Sequence, residues 1–281
     1  MKLIRVLRAV YLEPWLIRPE MHQQIADIVN RHANGEAHAA GLLEMEKQQE
    51  VAPEVIDNIA VIPVEGVIGK GVSALEKSSG VTDVGDISAM LDWAGGDDAV
   101  EGIVLKIRSP GGTVTGVPEL GAKVLALRDH KPIISWTDEM MDSAAYWIGS
   151  SANAVYATNS ATVGSVGVYM SLMDQSRRAE LAGLKPEVFK GGKYKGIGIP
   201  GTSLSDEQRA YLQDRVDYLH SEFRAAVRDG RAGVEIDNAT MEGQDFFASE
   251  AMSVGLIDAV ATWEETVRDA KMLAANKKGR R

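Results

Sequence analysis

From about residue 58 onward, short Val- and Ile-rich segments alternate with segments that have the apolar spacing of helices, and this alternation restricts the fold most. The strand-like segments are 59–68, 102–107, 133–136 and 154–157. The first alternates and is rich in Val and Ile, as strands are, and the second is predicted to be a buried strand. Strands that alternate with helices in this way predict an α/β domain with a parallel sheet.

The segments on either side of this region lack its pattern. Residues 1–34 are predicted to form short helical pieces because Pro14 and Pro19 interrupt them, the longest piece covering 20–32. Residues 35–56 are rich in Ala, Glu and Gln, which predicts a linker. We therefore expect three regions: an N-terminal helical arm with its linker (1–56), a compact domain (57–262) and a C-terminal tail (263–281).

Some boundaries inside the compact domain follow from local signals. Ser205 should begin a long helix, because Ser205 and Gln208 have the spacing of a capping box. Short strands are predicted at 164–168 and 186–190. The chain ends in Lys and Arg at 277–281, and this end is expected to be disordered.

The composition excludes several kinds of protein and site. The 281 residues include no cysteine, which excludes disulfides, cysteine-ligated zinc and a cysteine nucleophile. A net charge of −10 argues against a nucleic-acid partner. The chain has no HExxH motif and no other spacing typical of a metal site, so neither a metal nor another cofactor is expected.

The chain also lacks the sequence signals of membrane insertion. It contains no run of about 18 apolar residues, so no transmembrane helix is expected. Met1–Val10 is basic and mildly apolar, but Arg5 and Arg8 interrupt it and no small-residue cleavage site follows. This segment is predicted to be an amphipathic helix rather than a signal peptide, which fits a cytoplasmic protein.

The segment Ser109-Pro110-Gly111-Gly112 follows a predicted buried strand. Glycines at this point allow the backbone to turn sharply and to direct N–H groups into a cleft, as an oxyanion hole requires. An ordinary Pro-Gly turn would have the same sequence, so the segment alone does not indicate catalysis.

A second segment, Asp142-Ser143-Ala144-Ala145, places a serine where a helix is predicted to begin. Amides at the start of a helix favour developing negative charge, and the small Ala144 and Ala145 allow a substrate to approach closely. This setting suits a serine nucleophile. It also suits a simple N-cap role for Ser143 or Asp142.

A third segment, Lys190–Gly196, is a Gly- and Lys-rich loop. It lacks the spacing of a phosphate-binding loop, and a solvated basic loop is the simplest alternative. The five histidines lie outside Gly-rich or helix-start settings, which gives a Ser-His-Asp triad little support. A Ser-Lys dyad remains, because a lysine kept neutral by burial can act as a general base.

In their order along the chain, these motifs resemble those of the signal peptide peptidase A family of Ser-Lys peptidases. The shared features are Ser-Pro-Gly-Gly at 109–112, a serine followed by small residues and Tyr at 143–146, Gly-Ser-Val-Gly-Val at 164–168, and Tyr-Lys-Gly at 194–196. The resemblance covers about residues 59–258. It implies a ClpP/crotonase-like α/β spiral core.

The resemblance also implies a role for each matching side chain. Ser143 would be the nucleophile, Lys195 the general base, and Ser165 the serine that hydrogen-bonds and orients the lysine. One departure follows the lysine, since Gly196 stands where many family members have Asp or Ser.

The oxyanion hole is implied in the same way. Gly111 and Gly112 would form the oxyanion turn, and the Ala144 amide would be the second donor. Family members often have two glycines after the nucleophile, whereas this chain has Ala144 and Ala145. Alanine is the least disruptive replacement at these positions.

The partners implied by the resemblance are a protein or peptide substrate and further copies of the chain in a ring-like homo-oligomer. In short family members the lysine can come from the neighbouring protomer. The arm with Glu13-Pro14-Trp15 and Arg18-Pro19-Glu20 is similar to that of soluble members encoded by phages and prophages, which are associated with head maturation. Capsid and scaffold proteins are then expected partners, and the host cytoplasm is the expected location.

Two other functions compete with that of a peptidase. A crotonase-type enzyme acting on acyl-CoA would share the fold and the Gly-rich turn, but it does not explain the spacing of Ser143, Ser165 and Lys195. A catalytically silent capsid- or scaffold-binding protein would not need a complete dyad. The sequence therefore predicts a serine endopeptidase that uses Ser143 and Lys195.

Overall fold

A computed structural model of the chain describes residues 14–18, 22–23, 25–27, 52–78 and 80–279. Its centre is a six-stranded sheet formed by β2 (Glu54–Ile56), β3 (Ile59–Glu65), β6 (Gly102–Arg108), β8 (Ile133–Thr137), β10 (Ala154–Ala157) and β13 (Ala259–Val260). The strand order is β13-β10-β8-β6-β3-β2. Every neighbouring pair is parallel except β2 with β3.

Two smaller sheets lie beside the central one. The first has the order β1-β7-β4-β5 and contains β1 (Trp15–Ile17), β7 (Gly111–Thr113), β4 (Val67–Gly69) and β5 (Val81–Asp83). The second has the order β12-β11-β9 and contains β12 (Asp245–Phe247), β11 (Thr162–Gly164) and β9 (Met140–Asp142).

The helices from residue 74 onward follow or cover these strands. They are α1 (Ala74–Ser78), α2 (Val84–Gly96), α3 (Val117–Leu127), α4 (Ala144–Gly149), α5 (Ser176–Leu181), α6 (Asp206–Gly230), α7 (Ala248–Ser253) and α8 (Trp263–Lys278), with a 3₁₀ helix at Asn238–Met241. None of the helices in this part of the chain combines the length and the apolar character needed to cross a bilayer.

The chain winds through these elements as a spiral. The central strands β3, β6, β8 and β10 each continue into a short strand of a smaller sheet, namely β4, β7, β9 and β11. Successive turns pair in parallel through their central strands, and also through β4 with β7 and β9 with β11. This topology confirms the predicted α/β spiral core. It also brings the turn between β6 and β7 beside β9, since Ser109 and Met141 form a parallel bridge.

Alternating residues of the central strands serve two separate cores, which explains their continuous apolar sequence. Ile62 and Leu105 point into the core shared with α2, α3 and α4. Val104 and Ile134 belong to a second core on the opposite face, together with Ala270 of α8. The active-site elements β7, β9 and α4 therefore stand on a sheet that is covered on both faces.

The predicted C-terminal tail is wrong for most of its length. Residues 263–278 form helix α8, which begins with a capping box between Thr262 and Glu265. Ala270 and Ala274 lie one helical turn apart and are 2% and 3% exposed against the second core. Their small side chains let the helix lie close to the sheet.

The N-terminal arm also differs from its prediction. Residues 15–17 form strand β1 rather than a helix, and their side chains are buried. Pro14 and Pro19 favour extended backbone before them, which leaves three apolar residues free to pair as a strand. Residues 22–23 and 25–27 are helical as predicted, whereas the end of the expected linker forms β2. Where the domain itself begins and ends stays a prediction.

Two predicted strands do not form as expected. The strand predicted at 164–168 ends at Gly164, because Ser165 has a φ of 50° that turns the chain out of the ladder. The segment 186–190 has no regular secondary structure, and all its side chains are exposed. The long helix α6 begins at the predicted capping box of Ser205 and Gln208, which is confirmed with both hydrogen bonds.

Candidate active site

Ser143 occupies a strained turn between strand β9 and helix α4. Its φ of 54° and ψ of −118° lie in a region that non-glycine residues rarely adopt, and only 1% of the residue is exposed. The hydroxyl makes no capping hydrogen bond to the helix that follows. The geometry therefore does not support a simple N-cap role for Ser143.

Helix α4 is fixed firmly behind this serine. The Tyr146 hydroxyl donates a hydrogen bond to the Leu256 carbonyl at 2.7 Å, and burial raises the pKa of the phenol. The Trp147 ring stacks on Phe223 with a centroid distance of 4.6 Å. Since every residue of α4 is buried, the packing sets the strained backbone of Ser143 in place.

Gly111 lies directly beside Ser143 and has no room for a side chain. Its φ is +104°, and a Cβ built on it would lie 2.9 Å from Ser143 Cβ and 2.1 Å from the Leu16 carbonyl oxygen. The Gly111 amide donates a hydrogen bond to Ser109 Oγ at 3.1 Å. The sequence motif contained Ser109, but its function in holding this turn was not predicted.

Gly112 faces the other side of the same strand. A Cβ at this position would lie 1.9 Å from the Ile68 carbonyl oxygen, so glycine allows β7 to approach β4. Of the predicted oxyanion group, Gly111 therefore touches Ser143, and Ala144 follows it at the first position of α4. Their service as hydrogen-bond donors to a substrate stays a prediction.

Ser165 is brought to the site by the residue before it. The Ser143 amide donates a hydrogen bond to the Gly164 carbonyl at 2.8 Å. Ser165 has a φ of 50°, is 8% exposed, and donates its own amide to the Gln244 carbonyl at 2.8 Å. The turn around Ser165 is thus tied to the turn around Ser143.

Lys195 lies apart from these residues. It is exposed on the loop between α5 and α6, where Tyr194 stacks on Tyr211 at 4.4 Å and Lys193 pairs with Glu207. Within the described ranges, no hydrogen bond or ion pair involves the Lys195 ammonium group. The structure therefore brings Ser143, Gly111 and Ser165 together, but it does not place Lys195 with them.

A charged cluster beside Ser143 was not predicted. Arg18 Nη1 lies 3.6 Å from Asp142 Oδ2, and Arg18 Nη2 lies 3.3 Å from Asp245 Oδ2. Thr162 Oγ1 donates a hydrogen bond to Asp142 Oδ2 at 3.3 Å. Burial raises the pKa of the Asp142 carboxyl to about 7, Arg18 opposes this rise, and Asp245 adds to it. The one sequence signal was an acidic residue directly before the serine.

Two of the described histidines, His220 and His22, are engaged by groups other than Ser143. His220 Nε2 lies 2.8 Å from the Met241 carbonyl and 3.2 Å from the Val166 carbonyl, so backbone groups engage it. His22 packs against the rings of Trp15 and Tyr169. His32 and His38 lie outside the described residues. The described ranges also contain no group of three His, Asp or Glu side chains arranged to hold a metal ion.

The arrangement suits nucleophilic attack by Ser143 on a carbonyl carbon. The serine is held at a buried turn by fixed neighbours, next to the glycine turn at Gly111 and directly before helix α4. Backbone amides at a helix start or in a glycine turn are groups that can stabilise the negative charge that develops on a carbonyl oxygen during acyl transfer.

The chain is similar to known proteins over most of its length. The pattern of Peptidase family S49 matches residues 126–277, which is more than half of the sequence. Capsid assembly protease C of Escherichia phage lambda is 30% identical over 77% of this chain and 50% of its own length. The head-tail preconnector protein of Enterobacteria phage P21 is 29% identical over 71% of this chain and 43% of its own.

Other matches are more distant. Protease 4 of Haemophilus influenzae is 24% identical over 91% of this chain and 42% of its own length. The chain thus spans half or less of these curated relatives. Among solved structures, an enoyl-CoA hydratase/isomerase family member aligns at a TM-score of 0.41 and 15% identity, over 80% of this chain and 74% of that one. A likeness of that size supports no shared activity.

Proposed function

This chain belongs to peptidase family S49, and on that premise we propose that it is a serine endopeptidase that cleaves protein or peptide substrates through an acyl-enzyme on Ser143. The observation that carries the proposal is the strained, buried backbone of Ser143 in contact with the glycine turn at Gly111. Strain of this kind persists where the surrounding packing enforces it, which is common at nucleophiles.

In the proposed reaction, Ser143 Oγ attacks the carbonyl carbon of the scissile bond while a general base removes its proton. The oxygen of that carbonyl becomes an oxyanion, for which Gly111, Gly112 and Ala144 are the proposed donors, and the Gly111 amide would have to leave Ser109 Oγ to serve as one. The same base returns the proton to the leaving amine, and water then releases the acyl group from Ser143.

Lys195 is the proposed general base, and Ser165 is proposed to orient it. A lysine accepts a proton only in its neutral form, which burial favours. Lys195 is exposed in the single chain, so the proposal requires a change in its surroundings. Lys190 and Lys193 are poorer candidates, because Lys190 Nζ donates to the Lys193 carbonyl at 3.0 Å and Lys193 pairs with Glu207.

A second copy of the chain is the proposed source of that change. Large apolar side chains project from the segment that precedes Lys195, with Leu181 79%, Leu184 66% and Phe189 93% exposed. Exposed apolar side chains grouped in one segment are typical of an interaction surface. Association through this segment would bury the loop that carries Lys195. Lys195 would then lie next to Ser143, either of its own copy or of the second copy.

The proposed biological setting is capsid maturation in a phage or prophage. Two relatives carry the names of a capsid assembly protease and a head-tail preconnector protein of phages. The proposed substrates are therefore capsid or scaffold proteins, cleaved in the host cytoplasm. A catalytically silent scaffold-binding protein is the second candidate, and the exposure of Lys195 is the observation that favours it.

Labelling with a fluorophosphonate tests the nucleophile. Wild type and Ser150→Ala should react with the probe and cleave casein, whereas Ser143→Ala should do neither. Ser150 is the matched control, since it is buried in the same segment and its hydroxyl donates only to the Trp147 carbonyl, at 3.2 Å. Labelling that persists in folded Ser143→Ala, or that is missing from every variant, would refute the proposed function.

A further inference from the structure

The N-terminal strand β1 lies between two segments of the active site. On one side it pairs antiparallel with β7, with Ile17 opposite Gly111 and Leu16 opposite Gly112. On the other side the Trp15 amide donates to the Tyr169 carbonyl at 2.9 Å, and the Tyr169 amide donates to the Trp15 carbonyl at 3.2 Å. We call the space between β7 and Tyr169 the β1 groove.

The β1 groove runs directly past the proposed nucleophile. The Leu16 carbonyl and the Ser143 side chain both crowd the space that a Cβ of Gly111 would occupy. The Arg18 amide donates to the Pro110 carbonyl at 3.3 Å, within the motif proposed to bind the oxyanion. The backbone of β1 therefore passes through the volume next to Ser143 in an extended conformation.

An extended peptide needs the same kind of surface. Peptides commonly bind by adding a strand to an open sheet edge, where main-chain hydrogen bonds supply affinity. In the described chain, the outer edge of β7 is the edge next to Ser143, and β1 covers it. A substrate that reached Ser143 along β7 would have to replace β1.

We propose that residues 14–18 are an intramolecular competitor that fills the peptide-binding groove of the resting enzyme, and that substrate binding requires β1 to leave. This inference rests on the proposed peptidase function. The segment is well suited to the task, since Trp15, Leu16 and Ile17 are 4%, 0% and 3% exposed in the groove. Arg18 holds its end through Asp142 and Asp245.

The strength of such competition comes from covalent attachment. A tethered segment acts at an effective concentration in the millimolar range, so a free peptide of equal intrinsic affinity competes poorly. A strand of three residues is nevertheless short enough to be displaced by a longer peptide that makes more backbone hydrogen bonds.

A reversible disulfide tests whether β1 must leave. The chain has no cysteine, so the double variant Trp15→Cys/Tyr169→Cys would contain a single possible disulfide. Antiparallel residues that exchange both hydrogen bonds have Cα atoms about 5.5 Å apart, within disulfide range. Oxidation should lower Ser143 labelling and casein cleavage at least tenfold, and a thiol reductant should restore both.

The single variants Trp15→Cys and Tyr169→Cys are the matched controls, and neither should respond to oxidation. Equal labelling of the oxidised and reduced double variant would overturn the inference, because substrate would then reach Ser143 with β1 held in place. Labelling that falls only in the oxidised double variant supports it.

A binding measurement separates this inference from the peptidase proposal. The probe is a fluorescein-labelled peptide with the sequence of residues 13–20, EPWLIRPE, and the protein carries Ser143→Ala. The Arg18 amide donates toward β7, and amides two residues apart in a strand point to the same side, so the Leu16 amide also points toward β7. The substitution Leu16→Pro removes this amide hydrogen and should weaken the pairing of β1 with β7.

Fluorescence anisotropy should show the peptide binding at least tenfold more tightly to Leu16→Pro/Ser143→Ala than to Ser143→Ala. The oxidised double variant in the Ser143→Ala background should not bind it. Equal affinity in all three proteins would overturn the inference. The proteins that retain Ser143 are labelled separately with the fluorophosphonate. If peptide binding follows this order but none of those proteins is labelled, the groove assignment stands and the peptidase proposal fails.

Discussion

Arg18 Nη1 lies 3.6 Å from Asp142 Oδ2, which joins the end of the N-terminal strand to the residue that directly precedes the proposed nucleophile. Asp142 is fully buried, so this contact is the main positive charge acting on its carboxyl group. The electrostatics of Asp142 and the position of β1 are therefore coupled, and the first prediction follows from that coupling.

Replacing Asp142 by Asn should stabilise the protein at neutral and alkaline pH. The folded-state pKa of about 7 lies above the unfolded value of about 3.8, so the folded protein retains a proton that the unfolded chain releases. The contribution of Asp142 to the free energy of unfolding is thus greatest below pH 4 and falls as the pH rises to 7. The loss amounts to about 4 kcal/mol in full.

Urea unfolding of wild type and Asp142→Asn between pH 4 and 8 measures this difference. The variant's advantage should be small at pH 4, grow up to about pH 7 and then stay constant. The exposed Asp129→Asn is the matched control and should follow wild type. An advantage of Asp142→Asn that does not change with pH would contradict the prediction.

Gly111→Ala should abolish activity and destabilise the fold. A methyl group at this position would meet the Leu16 carbonyl and Ser143 Cβ, and the φ of +104° adds backbone strain. The expected loss of unfolding free energy is about 2 kcal/mol or more. Thermal unfolding and fluorophosphonate labelling measure both effects. Gly96→Ala should change neither, because nothing lies within 4 Å of a Cβ there.

Lys195→Ala should lower casein cleavage at least about a hundredfold without unfolding the protein, because a general base contributes on that scale. Lys195→Arg should be as inactive, since arginine stays protonated. Lys193→Ala is the neighbouring control and should keep most activity, although it loses the pair with Glu207. A folded Lys195→Ala protein with near-wild-type activity would remove lysine 195 from the mechanism.

Mixed oligomers test whether the two proposed catalytic groups come from different copies. Co-expressed Ser143→Ala and Lys195→Ala chains should recover part of the activity that each lacks alone. Phe189→Asp, which places a charge on a side chain that is 93% exposed, should weaken association and prevent the recovery. Sequential purification through a different affinity tag on each chain verifies the mixed assembly, and verified mixtures without activity would exclude a shared site.

Helix α8 should be required for stability. Ala270→Asp places a carboxylate in the second core against Val104 and Ile134, and burial of an unpaired charge is strongly destabilising. The expected loss is about 3 kcal/mol or more by urea unfolding. Met272 is 52% exposed on the same helix, so Met272→Asp is the control and should change the free energy of unfolding little. Equal stability of both variants would show that α8 is dispensable.

Sequence patterns predicted the parts of the site that depend on local chemistry. The turn at Gly111, the helix start after Ser143 and the capping box of Ser205 each follow from the preference of a few neighbouring residues. The parallel core followed from the order of the elements, because strands that alternate with helices along a chain form a parallel sheet.

The parts that were missed depend on partners far away in the chain. Strand β1 has three apolar residues and therefore no period, and only its pairing with β7 makes it a strand. Helix α8 has many charged residues, and its two buried alanines gain meaning from Val104 and Ile134. The surroundings of Lys195 could not be predicted for the same reason, because no residue near it in the sequence determines them.

Strand β1 is what keeps β7 from being the edge strand of its sheet, and this has a consequence for how the protein behaves in a crowded solution. With β1 in place, Gly111–Thr113 pairs with β1 along its length, and Gly112 also pairs with Ile68 of β4. Without β1, these three residues would be an exposed edge strand, to which an extended polypeptide, including an unfolded copy of this chain, could pair and start aggregation. Strand β1 therefore contributes to the solubility of the protein as well as to its stability.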